Sequence, residues 1–116
     1  MKLCRIGNKN EEKPAVIDAQ NNYRDLSIII DDFTPQNLNQ ETIKKIKNLD
    51  VSKLPIISKD KRIGSCIKNP GKFVAIGLNY SDHAKETGLN TPSEPIIFMK
   101  AVSSICGPND NIEVSK

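Results

Sequence analysis

His83 is the single histidine in a chain of 116 residues, and Glu86 stands three positions after it. On a helix two such residues share a face. A carboxylate beside an imidazole holds its tautomer and raises its basicity, which is how a general base is made at neutral pH. Pairs at this spacing are also common on solvated helix surfaces. Spacing alone therefore reads first as an exposed ion pair and only second as a dyad. Tyr80 and Asn79 stand just before the pair; buried they would be structural hydrogen-bonders, and at a cleft they would line it. Lys100 ends the apolar run Ile96–Met99, where a lysine ordinarily faces solvent. Cys106 invites a Cys–His pairing with His83, but Ser104-Ile105-Cys106-Gly107 is no nucleophile turn and a lone Cys reads as a small core residue. Pro70-Gly71-Lys72 lacks the other glycines and the Ser/Thr of a phosphate loop.

These residues need positioning. Lys72–Ile76 is a short apolar run that reads as a buried strand. Ser81 is placed to cap a following helix, Asp82 suits its first turn, and Gly88 suits its stop. Asn69-Pro70-Gly71 marks the clearest boundary, since both dipeptides force turns. Upstream, Lys2–Ile6, Pro14–Asp18 and Tyr23–Leu26 read as strands of a small antiparallel meander, with turn chemistry at Ala19-Gln20-Asn21-Asn22. Ser27–Phe33 is ambiguous, because Ile28-Ile29-Ile30 favours a strand that Asp31-Asp32 ends at once. A helix follows over Glu41–Leu49, started at Thr34-Pro35 or capped by Asn39, with Ile43, Ile46 and Leu49 as its apolar stripe. Pro55–Ile57 and Arg62–Gly64 read as short extended pieces. Downstream of the helix, Ile96–Met99 and Ile112–Val114 read as strands.

Composition narrows the function. The net charge is +3, from 17 basic and 14 acidic residues, with no block of like charge. Lys44, Lys45 and Lys47, and Lys59, Lys61 and Arg62, read as solvated faces. No aromatic residues interleave with them, so nucleic-acid binding is not expected. No run approaches the roughly 18 apolar residues of a membrane span, and the N-terminus carries no apolar signal core. Cys4, Cys66 and Cys106 are scattered and odd in number. That argues against a zinc site or disulfide framework and for reduced thiols in a cytoplasmic setting. Hydrophobic residues make up 37%, below the usual 45–50% or so. That is thin for an independent enzyme and hints at a partner or further chain.

Gly77-Leu78-Asn79-Tyr80, then Asp82-His83 and Glu86, then Glu94-Pro95-Ile96-Ile97-Phe98-Met99-Lys100, then Ile105-Cys106-Gly107-Pro108-Asn109-Asp110, resemble the start of the catalytic domain of the fumarylacetoacetate hydrolase family. Lys2-Leu3 through Leu54-Pro55 is similar to the small N-terminal domain of one branch of that family, the branch of ureidoglycolate lyase and 2,4-diketo-3-deoxy-sugar-acid hydrolase. The resemblance implies an α+β fold. Residues 1–57 would be a small N-terminal domain, 58–70 a linker, and 71–116 the first strands and helix of a mixed β-roll. It implies His83 as general base, Glu86 as its acidic partner, and Tyr80 and Lys100 as substrate contacts. It implies action on 2-oxo or 2-hydroxy carboxylates, by C–C hydrolysis of a diketo acid or C–N cleavage of ureidoglycolate, in a homodimer. The family's Mg²⁺ or Mn²⁺ is held by three carboxylates, which the resemblance places beyond residue 116. Glu113 has no second carboxylate at the right spacing and is assigned no metal. The expectation is then the leading part of an enzyme, inactive as this chain alone. Two alternatives are a truncated product without activity and a non-catalytic interaction module.

Overall fold

The computed structural model describes residues 1–114 and has an α+β architecture divided into two compact units. The first comprises residues 1–70 with the described residues from 105 on; the second is Gly71–Ser104.

The first unit is built on a four-stranded antiparallel sheet in the order β1 (Lys2–Ile6), β2 (Lys13–Ile17), β3 (Tyr23–Asp25), β4 (Ile56–Ile57). The register sets Leu3 opposite Val16 and Cys4 opposite Ala15. Alternation along a strand then sends these pairs to opposite faces. Val16 joins Leu26, Ile30, Phe33, Ile46 and Leu54 in one buried cluster, with Leu3 packed against it. Cys4, Ile6 and Ala15 form a second cluster, with Tyr23, Ile57 and Ile63 alongside. Both faces of a small sheet are thus covered, so these strands are less polar than a one-sided sheet requires.

The turns are set by local chemistry. Gly7 sits at φ +142°, and a Cβ there would press on the Glu11 carbonyl; this backbone suits glycine. Asn21 adopts φ 62°, and the Asp18 Oδ1 accepts from the backbone N–H groups of Gln20 and Asn22 at 3.0 and 2.8 Å, an Asx-type turn. Ile28-Ile29-Ile30 is a turn rather than a strand: Ile29 and Ile30 donate back to the Leu26 carbonyl. Ile30 enters the core while Ile28 stays exposed. The first helix, α1 (Gln40–Lys47), is capped by Asn39, whose side chain accepts from the Thr42 N–H at 2.9 Å. Ile46 is its buried anchor.

In the second unit, β5 (Phe73–Gly77) and β6 (Ile96–Lys100) form a two-stranded antiparallel ribbon, and α2 (Ser81–Glu86) lies between them in sequence. Apolar side chains on both faces are exposed, among them Val74, Ile76, Ile97, Phe98 and Met99. The burial expected for Lys72–Ile76 is therefore absent: a strand is buried only when something covers it, and an isolated pair of strands has little of its own to pack against. The strand expected at Ile112–Val114 does not form. No strand pairs with it among the described residues, and Ile112 and Val114 are 88% and 87% exposed. Among the described residues no helix is long and apolar enough to cross a membrane.

Candidate functional site

All four residues singled out for chemistry lie in the second unit, around α2 and the end of β6. The chain leaves β5 through Gly77 and then turns at Leu78, which adopts φ 48°. A branched residue in the left-handed region is disfavoured by about 1–2 kcal/mol. Such strain is found where the surrounding structure must aim the next residues. Tyr80 is the N-cap residue, in extended conformation, with no side-chain cap bond. Ser81, expected as the cap, is instead the first helical residue. Ala84 donates to the Tyr80 carbonyl at 3.1 Å to close the first turn. At the other end Gly88 N–H reaches the Lys85 carbonyl and Leu89 N–H the Ala84 carbonyl, at 3.1 and 3.0 Å. This is a Schellman closure, with Gly88 at φ 68°.

This short helix is anchored by Ala84, its buried residue, while His83 and Glu86 are exposed. Glu86 lies about 60° around the axis from His83, so they occupy adjoining parts of one face. Among the described residues no hydrogen bond or ion pair joins them. Tyr80 is 71% exposed. Lys100 ends β6 opposite Phe73, and its ammonium lies 5.5 Å from the centre of the Phe98 ring. That contact uses the negative face of the ring and holds the cation near the ribbon's end. A polar cleft of about 400 Å³ lies elsewhere, lined by Ser27, Asp31, Asn39 and Lys45 among others, and includes none of the four.

Magnesium or manganese would need an oxygen-rich donor set. Among the described residues no three His, Cys, Asp or Glu side chains gather to supply one. Glu113 is exposed and belongs to no such group. The described residues do not fit the ion.

The strongest electrostatic feature lies in the first unit, where sequence reading did not find it. Arg5, with a side chain 4% exposed, grips Asp32 through two bonds of 2.7 and 3.0 Å and reaches Glu12 at 3.2 Å. Glu12 also accepts from Arg62 at 2.7 Å, and Arg62 forks onto Asp110 with two bonds of 2.6 Å. Lys68 closes on Asp32 from the other end at 3.3 Å. Burial pushes the Glu12 and Asp32 carboxyls up, but the hydrogen bonds from Arg62 and Arg5 outweigh it and hold both below the usual range. The Asp110 carboxyl is held at about 2 by the Arg62 fork and by the Gly107 N–H. The sequence signal was a lone arginine inside Leu3-Cys4-Arg5-Ile6, a charge placed in an otherwise apolar strand.

Known proteins give this arrangement a family context. Residues 72–116 match the family described as Fumarylacetoacetate (FAA) hydrolase C-terminal. Over all 116 residues the chain is 46% identical to a Burkholderia multivorans protein named "Putative hydrolase", and 45% identical to proteins of the same name from Burkholderia ambifaria and Burkholderia orbicola. The chain spans 41% of the length of each of these relatives. The expected resemblance to the fumarylacetoacetate hydrolase family is thus supported over residues 72–116.

Proposed function

We propose that this chain is the leading part of a fumarylacetoacetate hydrolase-family enzyme acting on 2-oxo or 2-hydroxy carboxylates. The observation that carries the reading is the match of residues 72–116, the stretch that holds His83, Glu86, Tyr80 and Lys100 around one helix and one strand end. Residues 1–57 serve as a small N-terminal domain, and 71–116 open the catalytic one. His83 takes a proton from water or substrate, and Glu86, on the same helical face, steadies the imidazolium that forms. Lys100 attracts the substrate carboxylate, and Tyr80 lines its approach. The family's divalent ion would find its donors in sequence outside the described residues, and no step here is assigned to it. Cleavage is of the C–C bond of a diketo acid or the C–N bond of ureidoglycolate. The enzyme would be a cytoplasmic homodimer that uses neither nucleic acid nor membrane.

The test has two parts. The reading frame after Lys116 should continue and encode a Glu-x-Glu pair. The protein made from it, given Mg²⁺ or Mn²⁺, should consume an acylpyruvate, followed by loss of the enol absorbance. His83→Ala should lower kcat by about 10²-fold or more, the usual scale for a general base. Turnover unaffected by His83→Ala would overturn the assignment. A second reading, an interaction module without catalysis, draws on the exposed apolar ribbon. It wins if the whole protein, metal-loaded, turns over neither diketo acids nor ureidoglycolate.

A further inference from the structure

The second unit is a single excursion of the chain: it departs after Pro70 and returns at Ile105. The two arms that flank this excursion belong to the first unit and are tied into it. On the outgoing arm, Ile63 bridges Ile6, Gly7 N–H donates to the Arg62 carbonyl and Gly64 N–H to the Arg5 carbonyl, each at 2.8 Å. These contacts extend the edge of β1. Lys68 N–H donates to the Phe33 carbonyl at 2.8 Å. On the returning arm, Gly107 is buried, and a Cβ on it would run into the Ile63 carbonyl. Glycine therefore lets the two arms touch. Asp110 folds its carboxylate back onto the Gly107 N–H at 2.7 Å while receiving both bonds of the Arg62 fork.

We infer that Arg62 and Asp110 form a neck clamp that closes the 71–104 excursion and holds its two attachment points together. The fork is bidentate, the geometry in which arginine and carboxylate bind with most directional strength. It is not a loose surface pair, because Arg62 is itself held by Glu12, and Glu12 by Arg5, whose other partner is Asp32. The charges alternate along the whole series from Lys68 to Asp110, so each inner ion has an opposite neighbour on both sides. Such a series fixes positions as well as charge. Closing the neck removes the conformational freedom that the ends of a long loop otherwise have. The clamp stands on its own contacts. Its bearing on His83, which the excursion carries, rests on the function proposed above, and the experiment below does not depend on that function.

The chain carries its own labels for a test. Cys66 and Cys106 are exposed, one on each arm, and Cys4 is buried. Spin labels on the two exposed thiols report the width of the neck by dipolar distance measurement on the full chain. A narrow distribution is expected for the parent, a broadened one for Asp110→Asn and Arg62→Ala, and a narrow one again for Asp110→Glu, which restores the charge. Amide exchange in β1 and β2 is followed in the same samples and should change by less than about twofold. A broad distribution in the parent overturns the clamp, and so does an unchanged one in both Asp110→Asn and Arg62→Ala. Loss of protection throughout β1 and β2 in Asp110→Asn would assign Asp110 to the support of the sheet and would equally overturn it.

Discussion

Replacing Arg5 by Met keeps most of the apolar stem and removes the guanidinium from the centre of the ionic series. Asp32, 8% exposed, then loses two bonds, and Glu12, 6% exposed, loses one. Breaking a buried pair from one side costs about 3–5 kcal/mol, because a desolvated charge is left behind. Here the orphans are partly served. Asp32 retains the Phe33 N–H at 2.8 Å and Lys68 at 3.3 Å, and Glu12 retains Arg62 at 2.7 Å. The lower end, about 3 kcal/mol, is therefore expected. With a urea m-value of about 1.5 kcal/mol per molar, the midpoint should fall by about 2 M. Urea unfolding of the whole chain, followed by far-ultraviolet circular dichroism, reads this directly. Adding Asp32→Asn to Arg5→Met takes away the stranded charge while keeping an acceptor for the Phe33 N–H. The double variant should therefore lose less than the two single losses added together. A midpoint shift below about 0.5 M for Arg5→Met, the scale of an exposed pair, would refute the view that this series is a buried structural unit; so would strict additivity.

Acid should weaken the first unit in a defined window. Glu12, Asp32, Asp18 and Asp110 all have folded pKa values below their ordinary ones, the last two at about 2. A depressed carboxyl gives stability that is present above its unfolded pKa and lost as pH falls through the folded one. Thermal midpoints should hold steady down to about pH 4 and drop between about 4 and 2; a flat profile through that interval would contradict the ion pairs. Titration calorimetry of this chain with Mg²⁺ or Mn²⁺ should show only weak binding of the kind any acidic surface gives. One stoichiometric micromolar site would contradict the missing donor set. Hydrogen exchange should be slow between Leu3 and Leu49 and fast at 73–77 and 96–100, or the chain should associate through the ribbon. Each large apolar side chain left exposed there forgoes on the order of 1.5–3 kcal/mol, against a typical total of about 5–15. Uniform strong protection in a monomer would disprove this.

Local signals carried the first unit far. Short apolar runs and the turn residues between them place β1, β2 and β3 within a residue or so, because the turns joining these strands are set by local chemistry. Asn39 and the Ile43, Ile46, Leu49 stripe place α1, and Gly88 places the end of α2. The failures share a cause. Ile28-Ile29-Ile30 has strand-like residues, yet its backbone turns back on Leu26, so tertiary packing of Ile30 overrides propensity. Ile112–Val114 has the composition of a strand but no ladder to join among the described residues. Arg5, Asp32, Glu12, Arg62 and Asp110 meet across turns that no short window spans, and only their odd placement in apolar surroundings could have marked them. His83, Glu86, Tyr80 and Lys100 were named by resemblance. Their surroundings are open in the second unit, where α2 buries Ala84 and leaves both members of the pair to solvent.

The spacing of the Arg62–Asp110 fork also sets a timetable for synthesis. The two residues are 48 positions apart. At about 5–20 residues per second a ribosome releases Asp110 roughly 2–10 s after Arg62. By then the four strands of the first sheet, α1 and Glu12 have all emerged, so Arg62 waits half-satisfied on a nearly finished surface. The apolar strands β5 and β6 come out during that same interval, before the returning arm can fasten. Closing the fork covers neither strand, so the apolar ribbon stays open to nascent-chain chaperones after that interval as well as during it.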